Sequence, residues 1–264
     1  MRGSCCRFNI FMVIFVGNEP FAQCGTNLRG GDEMNKPLKY VGTVLGGGFA
    51  VLYVGFYHRA MHPKRPKPDK SRKRIACVGD SITYGYGLMG AFRKYCYPNQ
   101  LQELLGTSYQ VMNFGICDRT LQDQADKPYR LEKIYVASLA SAPDTVIIML
   151  GTNDAKPANW NTERYENDLR SYVSVYRDLP SRPNVILMQP PKTFFLLGKK
   201  LDDIMDAAIG GEMHDSITRV GKETGCLVVD LYHFTENHRE WFVDGIHPNR
   251  FGARMIAEAV KKAL

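Results

Sequence analysis

The sequence predicts an α/β fold, a three-layer α/β/α sandwich built around a five-stranded parallel sheet. Short runs rich in Val, Ile, Leu or Met recur along the chain, at residues 75–78, 109–114, 145–150, 185–188 and 227–231. Turn residues bound each run, which is typical of parallel strands that are buried on both faces. Longer helical stretches separate the runs. Strands that alternate with helices in this way favour one sheet with helices on both sides.

The helical stretches follow the strands in chain order. They are residues 99–105, 130–141, 162–179, 202–224 and 250–264, of which the last is amphipathic and begins just after Pro248. Open parallel sheets bind ligands at the carboxyl ends of their strands. Ser81, Asn153 and residues 115–120 all come directly after predicted strands, so we expect a functional site at that edge of the sheet.

The chain before residue 74 has a different character. We predict an N-terminal extension over residues 1–39, which contains a short signal-like apolar run, and a membrane anchor over residues 40–57. The anchor segment has eighteen residues without charge and tyrosines at both ends. A buried hairpin or an uncleaved signal sequence is the alternative. Residues 58–73 are interpreted as a basic, Pro-rich linker, and residues 74–264 as one folded domain. The basic linker favours a cytoplasmic domain, whereas a simple signal-anchor would place it outside, so the side of the membrane stays open.

The net charge of +7 does not indicate nucleic-acid binding. Residues 59–74 carry eight basic side chains and one acidic one, so this segment alone accounts for the excess, and the folded part is close to neutral. We therefore expect no nucleic-acid partner. The seven cysteines form no Cys-x-x-Cys pair, and no metal site is predicted. Cys77 and Cys226 lie in apolar runs and are expected to be core residues.

Two short strings near the ends of the domain carry the first chemical signal. Residues 79–83 read GDSIT and close the first strand, and residues 244–248 read DGIHP. Ser81 could act as a nucleophile, His247 as the base that takes its proton, and Asp244 as the carboxylate that orients the base. Taken singly, the first string could merely cap a helix, and the second could be a loop hydrogen bond or a pair of metal ligands.

Two further strings follow the second and third strands, NFGICDRT at residues 113–120 and GTND at residues 151–154. The amide of Asn153 could donate a hydrogen bond to an oxyanion, although an Asx-turn or a helix cap is the alternative. The series GDSIT, NFGICDRT, GTND and DGIHPN, in this order, resembles the SGNH-hydrolase (GDSL-type esterase/lipase) family. The resemblance covers residues 74–264.

The resemblance implies a flavodoxin-like fold and hydrolysis of carboxylic esters through an acyl-enzyme, without metal or cofactor. It implies that Ser81 is the nucleophile, that His247 is the general base and then the acid, and that Asp244 orients His247. The oxyanion would be held by the backbone N–H of Ser81, by a backbone N–H of the second string, and by the side chain of Asn153.

The second string departs from the family pattern. Members commonly have Ser-Gly where this chain has Cys117 and Asp118, so the N–H of Asp118 would have to replace the N–H of that glycine. Aspartate tolerates a left-handed backbone better than most residues do. Its carboxylate would oppose a neighbouring oxyanion unless it is paired, and we expect Arg119 to be the partner.

The substrate class is less determined by the sequence. The strings resemble those of the family's small-acyl carbohydrate esterases, which favours removal of acetyl groups from a carbohydrate and an acylated glycan or small molecule as the partner. The alternative is a lysophospholipase or thioesterase, favoured by the membrane anchor and by the apolar residues 194–197. A catalytically impaired, membrane-tethered binding module is a third possibility. Trp160 could be a sugar platform or could cover a hydrophobic edge.

Overall fold

The computed structural model describes residues 55–88, 90–194 and 200–264. It contains the predicted parallel sheet. The strands are β1 (Lys73–Gly79), β2 (Tyr109–Gly115), β3 (Thr145–Met149), β4 (Asn184–Met188) and β5 (Leu227–Val229), and their spatial order is β2-β1-β3-β4-β5. Every pairing between neighbours is parallel. The predicted five-stranded sheet is confirmed, since each short apolar run becomes a strand within one or two residues of its expected bounds.

Helices connect the strands and cover both faces of the sheet. They are α1 (Ser81–Tyr84), α2 (Tyr97–Leu105), α3 (Lys133–Ala140), α4 (Thr162–Arg177), α5 (Lys200–Ala208), α6 (His214–Thr224), α7 (Leu231–Thr235) and α8 (Arg250–Lys262). Single 3-10 turns lie at Gly90–Tyr95, Tyr129–Leu131 and Arg239–Trp241, and residues 55–61 are helical ahead of β1.

Side chains alternate between two cores, which makes the fold three-layered. On one face, Val78 and Ile148 pack in a cluster with Tyr172 of α4 and Ile217 of α6. The other cluster joins Cys77 and Ile147 from the strands with side chains of α2 and α8. Successive strand residues point to opposite faces, so uninterrupted apolar runs can supply both cores at once. The predicted α/β/α sandwich is confirmed.

Two predicted elements have different bounds in the structure. The helix expected over residues 202–224 is interrupted by a π turn at Ile209–Met213, where Gly211 adopts φ −106° and ψ −110°, outside the helical region. The last strand, expected to run to Leu231, ends at Val229. Asp230 instead caps α7, because its carboxylate accepts a hydrogen bond from the backbone N–H of His233.

The segment before β1 contacts the domain. Ala60 is buried against Tyr84 and Cys117, and its carbonyl accepts a hydrogen bond from the Cys117 backbone N–H at 3.2 Å. The side chain of Gln110 holds Lys67 and Asp69 at the edge of the sheet through backbone hydrogen bonds. The bounds of the linker at 58–73 and of the domain at 74–264 stay predictions.

The extension at 1–39 and residues 40–54 of the expected anchor lie outside the described residues. In the part of the chain that the structure describes, we find no helix of sufficient length and apolar character to span a bilayer. Cys77 and Cys226 are buried free thiols, as expected of core residues, and so are Cys96 and Cys117.

Candidate active site

Ser81 is the first residue of α1, and only Asp80 separates it from the end of β1. Asp80 caps this short helix, since its Oδ1 accepts a hydrogen bond from the backbone N–H of Ile82 at 2.9 Å. The cap expected as an alternative is therefore present, but Asp80 provides it and the Ser81 hydroxyl has another partner. Asp80 is fully buried, and burial raises its pKa to about 6.

The Ser81 hydroxyl meets His247. The distance from His247 Nε2 to Ser81 Oγ is 2.8 Å, although the two residues lie 166 positions apart. On the other side of the ring, His247 Nδ1 lies 2.6 Å from Asp244 Oδ2. A continuous chain of hydrogen bonds therefore runs from carboxylate to imidazole to hydroxyl, which is the geometry of a nucleophile, its base and the group that orients the base.

A tight turn fixes Asp244 against His247. The second oxygen of Asp244, Oδ1, accepts hydrogen bonds from the backbone N–H groups of Ile246 at 3.0 Å and His247 at 2.8 Å. Gly245 adopts φ +87°, and a Cβ there would lie 2.2 Å from the Phe194 carbonyl oxygen, so only glycine fits. Burial opposes ionisation of Asp244, but the hydrogen bonds from His247 and the backbone outweigh it and lower its pKa to about 2.

The second string forms a loop beside α1. Gly115 allows this approach, because a Cβ at that position would lie 2.2 Å from the backbone nitrogen of Tyr84. Its own N–H donates to Asn113 Oδ1 at 2.9 Å. Asp118 follows in the left-handed conformation, with φ 65°. In the described residues the backbone N–H of Asp118 donates no hydrogen bond.

The prediction that Arg119 pairs with the Asp118 carboxylate is wrong. Arg119 instead pairs with Glu132, at 2.7 Å, and donates to the Cys117 carbonyl oxygen at 2.9 Å. The Asp118 carboxylate binds two lysines, Lys127 through Oδ2 and Lys156 through Oδ1, the latter at 2.9 Å. Burial would raise the pKa of Asp118, but the two lysines outweigh it and hold the pKa below its ordinary value.

Asn153 lies against this loop. It is buried, and its Nδ2 donates to the Arg119 carbonyl oxygen at 3.1 Å, while its own carbonyl oxygen accepts from Asn159 Nδ2 at 3.0 Å. The structure thus brings Asn153 to the loop that carries Asp118, at the carboxyl ends of β1, β2 and β3, where the sequence predicted a site.

Sequence reasoning missed Asp154. Its carboxylate is fully buried and accepts hydrogen bonds from the backbone N–H groups of Leu121 and Gln122, at distances of 2.9 to 3.1 Å. Burial raises its pKa to about 6, although these hydrogen bonds oppose the rise. Asp154 therefore clamps the third string to the second. The available signal was an acidic residue just after the end of a buried strand.

Trp160 covers a hydrophobic edge. Its ring lies 5.2 Å from that of Tyr165, and its Nε1 donates to Glu212 at 2.9 Å. The neighbouring Asn159 is buried and bonds to Asp126 and Asn153. Of the two interpretations of Trp160, the contacts favour packing over a sugar platform.

One group of side chains in the described residues has the composition of a metal site. His214, Asp230 and His233 offer ligand atoms that all lie within 4.8 Å of one another. Asp230 Oδ2 already bonds both imidazoles, at 3.2 Å to His214 and 2.7 Å to His233. The cluster is thus satisfied as a hydrogen-bonded helix cap, and it does not include Ser81, His247 or Asp244.

Comparison with proteins of known function identifies a relative of this chain. It is 37% identical to an acetylxylan esterase of Xylanibacter ruminicola, in a match that covers 75% of this chain and 44% of that protein. The chain thus spans less than half the length of that relative.

Solved structures share the fold. The chain is similar to an aryl esterase of M. smegmatis, with a TM-score of 0.58, 20% identity, and coverage of 73% of this chain and all of that one. It is also similar to a carbohydrate acetylesterase family member from Sinorhizobium meliloti, with a TM-score of 0.59, 21% identity, and coverage of 72% and 96%. Residues 77–255 match the GDSL-like lipase/acylhydrolase family, and the match includes all four strings. This chain belongs to that family.

Proposed function

We propose that this protein is a serine-dependent carboxylic ester hydrolase in which Ser81, His247 and Asp244 form the catalytic triad. The observation that carries the proposal is the pair of short contacts on the His247 ring, 2.8 Å to Ser81 Oγ and 2.6 Å to Asp244 Oδ2. Membership of a lipase and acylhydrolase family supports the same reaction class.

The triad geometry gives each proton a path. Ser81 Oγ attacks the ester carbonyl carbon while its proton passes to His247 Nε2, and Asp244 stabilises the imidazolium that forms. Collapse of the tetrahedral intermediate breaks the bond to the alcohol, which leaves with the proton from His247. Water then repeats the sequence on the acyl-enzyme, releases the carboxylic acid and restores Ser81.

The negative charge on the tetrahedral intermediate requires hydrogen-bond donors. We assign this role to the backbone N–H groups of Ser81 and Asp118 and to the side-chain amide of Asn153. Two features support this oxyanion hole: the Asp118 N–H has no acceptor within the described residues, and Asn153 and Asp154 fix the two loops to each other. Lys127 and Lys156 neutralise the Asp118 carboxylate, so it does not oppose the developing charge.

The proposed substrate is a carbohydrate that carries acetyl groups. The relative from Xylanibacter ruminicola is an acetylxylan esterase, and its match covers three quarters of this chain. We assign the present chain the same class of ester, an O-acetyl group on a glycan.

A fluorophosphonate probe and a series of p-nitrophenyl esters test the proposal. The probe should label the wild type and the matched control Ser108→Ala, which changes an exposed serine, but not Ser81→Ala. The specificity constant should be highest for acetate and fall sharply toward octanoate. A rise toward octanoate would instead support the lysophospholipase or thioesterase alternative. Labelling of Ser81→Ala would rule out Ser81 as the nucleophile.

We further propose that residues 40–57 tether the domain to a membrane, which rests on their length and lack of charge. Carbonate extraction tests the tether: the full chain should stay with the membrane pellet, whereas a chain beginning at residue 58 should be released. Recovery of the full chain in the supernatant would contradict it.

A further inference from the structure

A pocket of about 710 Å³ adjoins the candidate active site. Tyr86 lines the pocket, and its ring centroid lies 4.9 Å from that of His247. The loop that carries Tyr86 packs directly on the triad, because a Cβ at Gly87 would lie 2.9 Å from the Cβ of His247. A ligand in the pocket is therefore separated from the catalytic imidazole by little more than one side chain, and the volume lies in the range of small-molecule sites.

Basic side chains line the pocket, and no Asp or Glu is among its lining residues in the described part of the chain. Its basic lining residues are Arg59, Lys64, Arg93, Lys94, His58 and His62. The two histidines come from the segment before β1, and their rings stack at 4.5 Å. Arg59 and Lys64 belong to the basic segment 59–74, whereas residues 75–264 are close to neutral overall.

These cations have no anionic partner in the described part of the chain. None of the four Lys and Arg side chains forms an ion pair there, whereas nine other Lys and Arg side chains do. Arg93 is held in place, because its Nε donates to the Tyr84 carbonyl oxygen at 3.0 Å and its guanidinium lies 4.1 Å from the centre of the Tyr84 ring. Like charges gathered in a concave site raise the local concentration of anions.

We propose that the pocket binds the acidic groups of a glycan, so that the substrate is an acetylated saccharide that also carries carboxylates. Arginine and lysine bind carboxylates through charge-assisted hydrogen bonds. The rings of Tyr84 and Tyr86 and the amide of Asn99 supply the apolar faces and polar contacts that a sugar ring needs. The inference rests on the proposed function, since it names the class of substrate that the Ser81 site receives.

The segment 56–64 is part of this site. It supplies Arg59, Lys64 and both histidines, and its position on the domain is fixed by burial of Ala60 and by the hydrogen bond from the Cys117 N–H to the Ala60 carbonyl oxygen. Residues 58–64, which the sequence predicts to be part of the linker, therefore form one wall of the pocket.

The test compares two substrates with the same acetyl ester, acetylated xylo-oligosaccharide, which is neutral, and acetylated oligogalacturonate, which is acidic. The wild type should prefer the acidic substrate at least about tenfold in kcat/KM at low salt, and the preference should shrink as ionic strength rises. The variant R59Q/K64Q/K94Q should lose the preference, because its kcat/KM on the acidic substrate falls to that on the neutral one.

A matched control removes three charges outside the pocket. The variant K222Q/K261Q/K262Q changes three exposed lysines and lowers the net charge by the same amount. It should retain the preference for the acidic substrate. Equal kcat/KM for the two substrates in the wild type would overturn the proposal, and so would an equal loss of preference in the control, which would indicate long-range attraction only.

Two measurements distinguish the proposal of an acidic glycan from the proposed esterase function and from a lipid ligand. Calorimetry of deacetylated oligogalacturonate binding to Ser81→Ala tests the pocket without catalysis. If the wild type were inactive toward every ester, the proposed function would be contradicted, but the binding measurement would still test the pocket. Binding to vesicles containing phosphatidylserine tests a lipid occupant. Suppose that the wild type binds these vesicles, that R59Q/K64Q/K94Q does not, and that Ser81→Ala does not bind oligogalacturonate. This result would overturn the proposal of a glycan ligand and would show that the pocket binds an anionic membrane surface.

Discussion

The substitution Asp244→Asn tests whether the carboxylate fixes the tautomer of His247. For Nε2 to accept the Ser81 proton, Nδ1 must carry a hydrogen and donate it to Asp244 Oδ2, at 2.6 Å. Asparagine has nearly the same shape but only one oxygen. That oxygen has to accept the hydrogen bonds from the backbone N–H groups of Ile246 and His247, which donate to Oδ1 in the wild type. The NH₂ group then faces Nδ1, which must become the acceptor, and Nε2 carries the hydrogen.

The structure sets the size of the effect. Turning the amide around would leave two backbone N–H groups facing an NH₂ donor, at a cost of about 1 kcal/mol or more for each lost hydrogen bond. The wrong tautomer therefore dominates, and imidazolium stabilisation is lost as well. In serine hydrolases an Asp→Asn change of this kind lowers kcat about 10⁴-fold, or about 5.4 kcal/mol at 1.36 kcal/mol for each factor of ten. We expect a loss of that order here, with little change in Tm.

Initial rates on p-nitrophenyl acetate and thermal unfolding measure both effects. The chain contains a matched control in Asp230, which also lies three residues before a histidine. Asp230 Oδ2 lies 2.7 Å from His233 Nδ1, and Oδ1 accepts from the His233 backbone N–H at 3.0 Å, in a site that does not contain Ser81. Asp230→Asn should leave kcat within about twofold of the wild type. The reasoning is refuted if Asp244→Asn keeps more than a tenth of the activity or if Asp230→Asn loses as much.

Three other predictions concern stability and the loop beside Asn153. Burial raises the pKa of Asp80 from 3.8 to about 6, so the folded state holds this proton more tightly. The resulting stability is fully present below about pH 4 and is lost above about pH 6, by roughly 3 kcal/mol. In urea titrations, the free energy of unfolding of Asp80→Asn should not show this decrease between pH 4 and pH 7. The prediction is contradicted if the variant and the wild type differ in free energy of unfolding by the same amount at both pH values. Replacing Lys127 and Lys156 together with Met should lower kcat about tenfold or more, because the Asp118 carboxylate then opposes the oxyanion, and adding Asp118→Asn should restore the rate. No recovery in the triple variant would show that the lysines act otherwise. Gly115→Ala places a methyl group 2.2 Å from a backbone nitrogen of α1, so the free energy of unfolding should fall by about 1–3 kcal/mol or more; an unchanged Tm would refute this.

The strands were predictable from the sequence because their physical requirement is local. A strand buried on both faces needs only a short apolar run, and each of the five runs became a strand. The helix expected over residues 202–224 failed for a different reason. Its apolar pattern continues across Gly210 and Gly211, but the backbone of Gly211 leaves the helical region there. Periodicity alone does not show such a break.

The partner of Asp118 was not predictable from its neighbours. Arg119 is adjacent in sequence, yet the left-handed backbone at Asp118 is followed by a side chain that bonds Glu132 instead. Lys127 and Lys156 reach Asp118 from two other loops. Ion pairs of this kind depend on where loops meet in space, and nothing in the local sequence specifies that meeting.

The sequence by itself determined the sheet, the edge at which the site lies and the identity of the three residues that meet there. Strand ends are marked by where apolar runs stop, and the residue types required for nucleophile, base and orienting carboxylate are few. Only the tertiary structure decided which charges surround those residues. The pairing of Asp118 with two lysines and the basic pocket beside Tyr86 both arise from segments brought together by folding, because electrostatic interactions act through distance in space rather than along the chain.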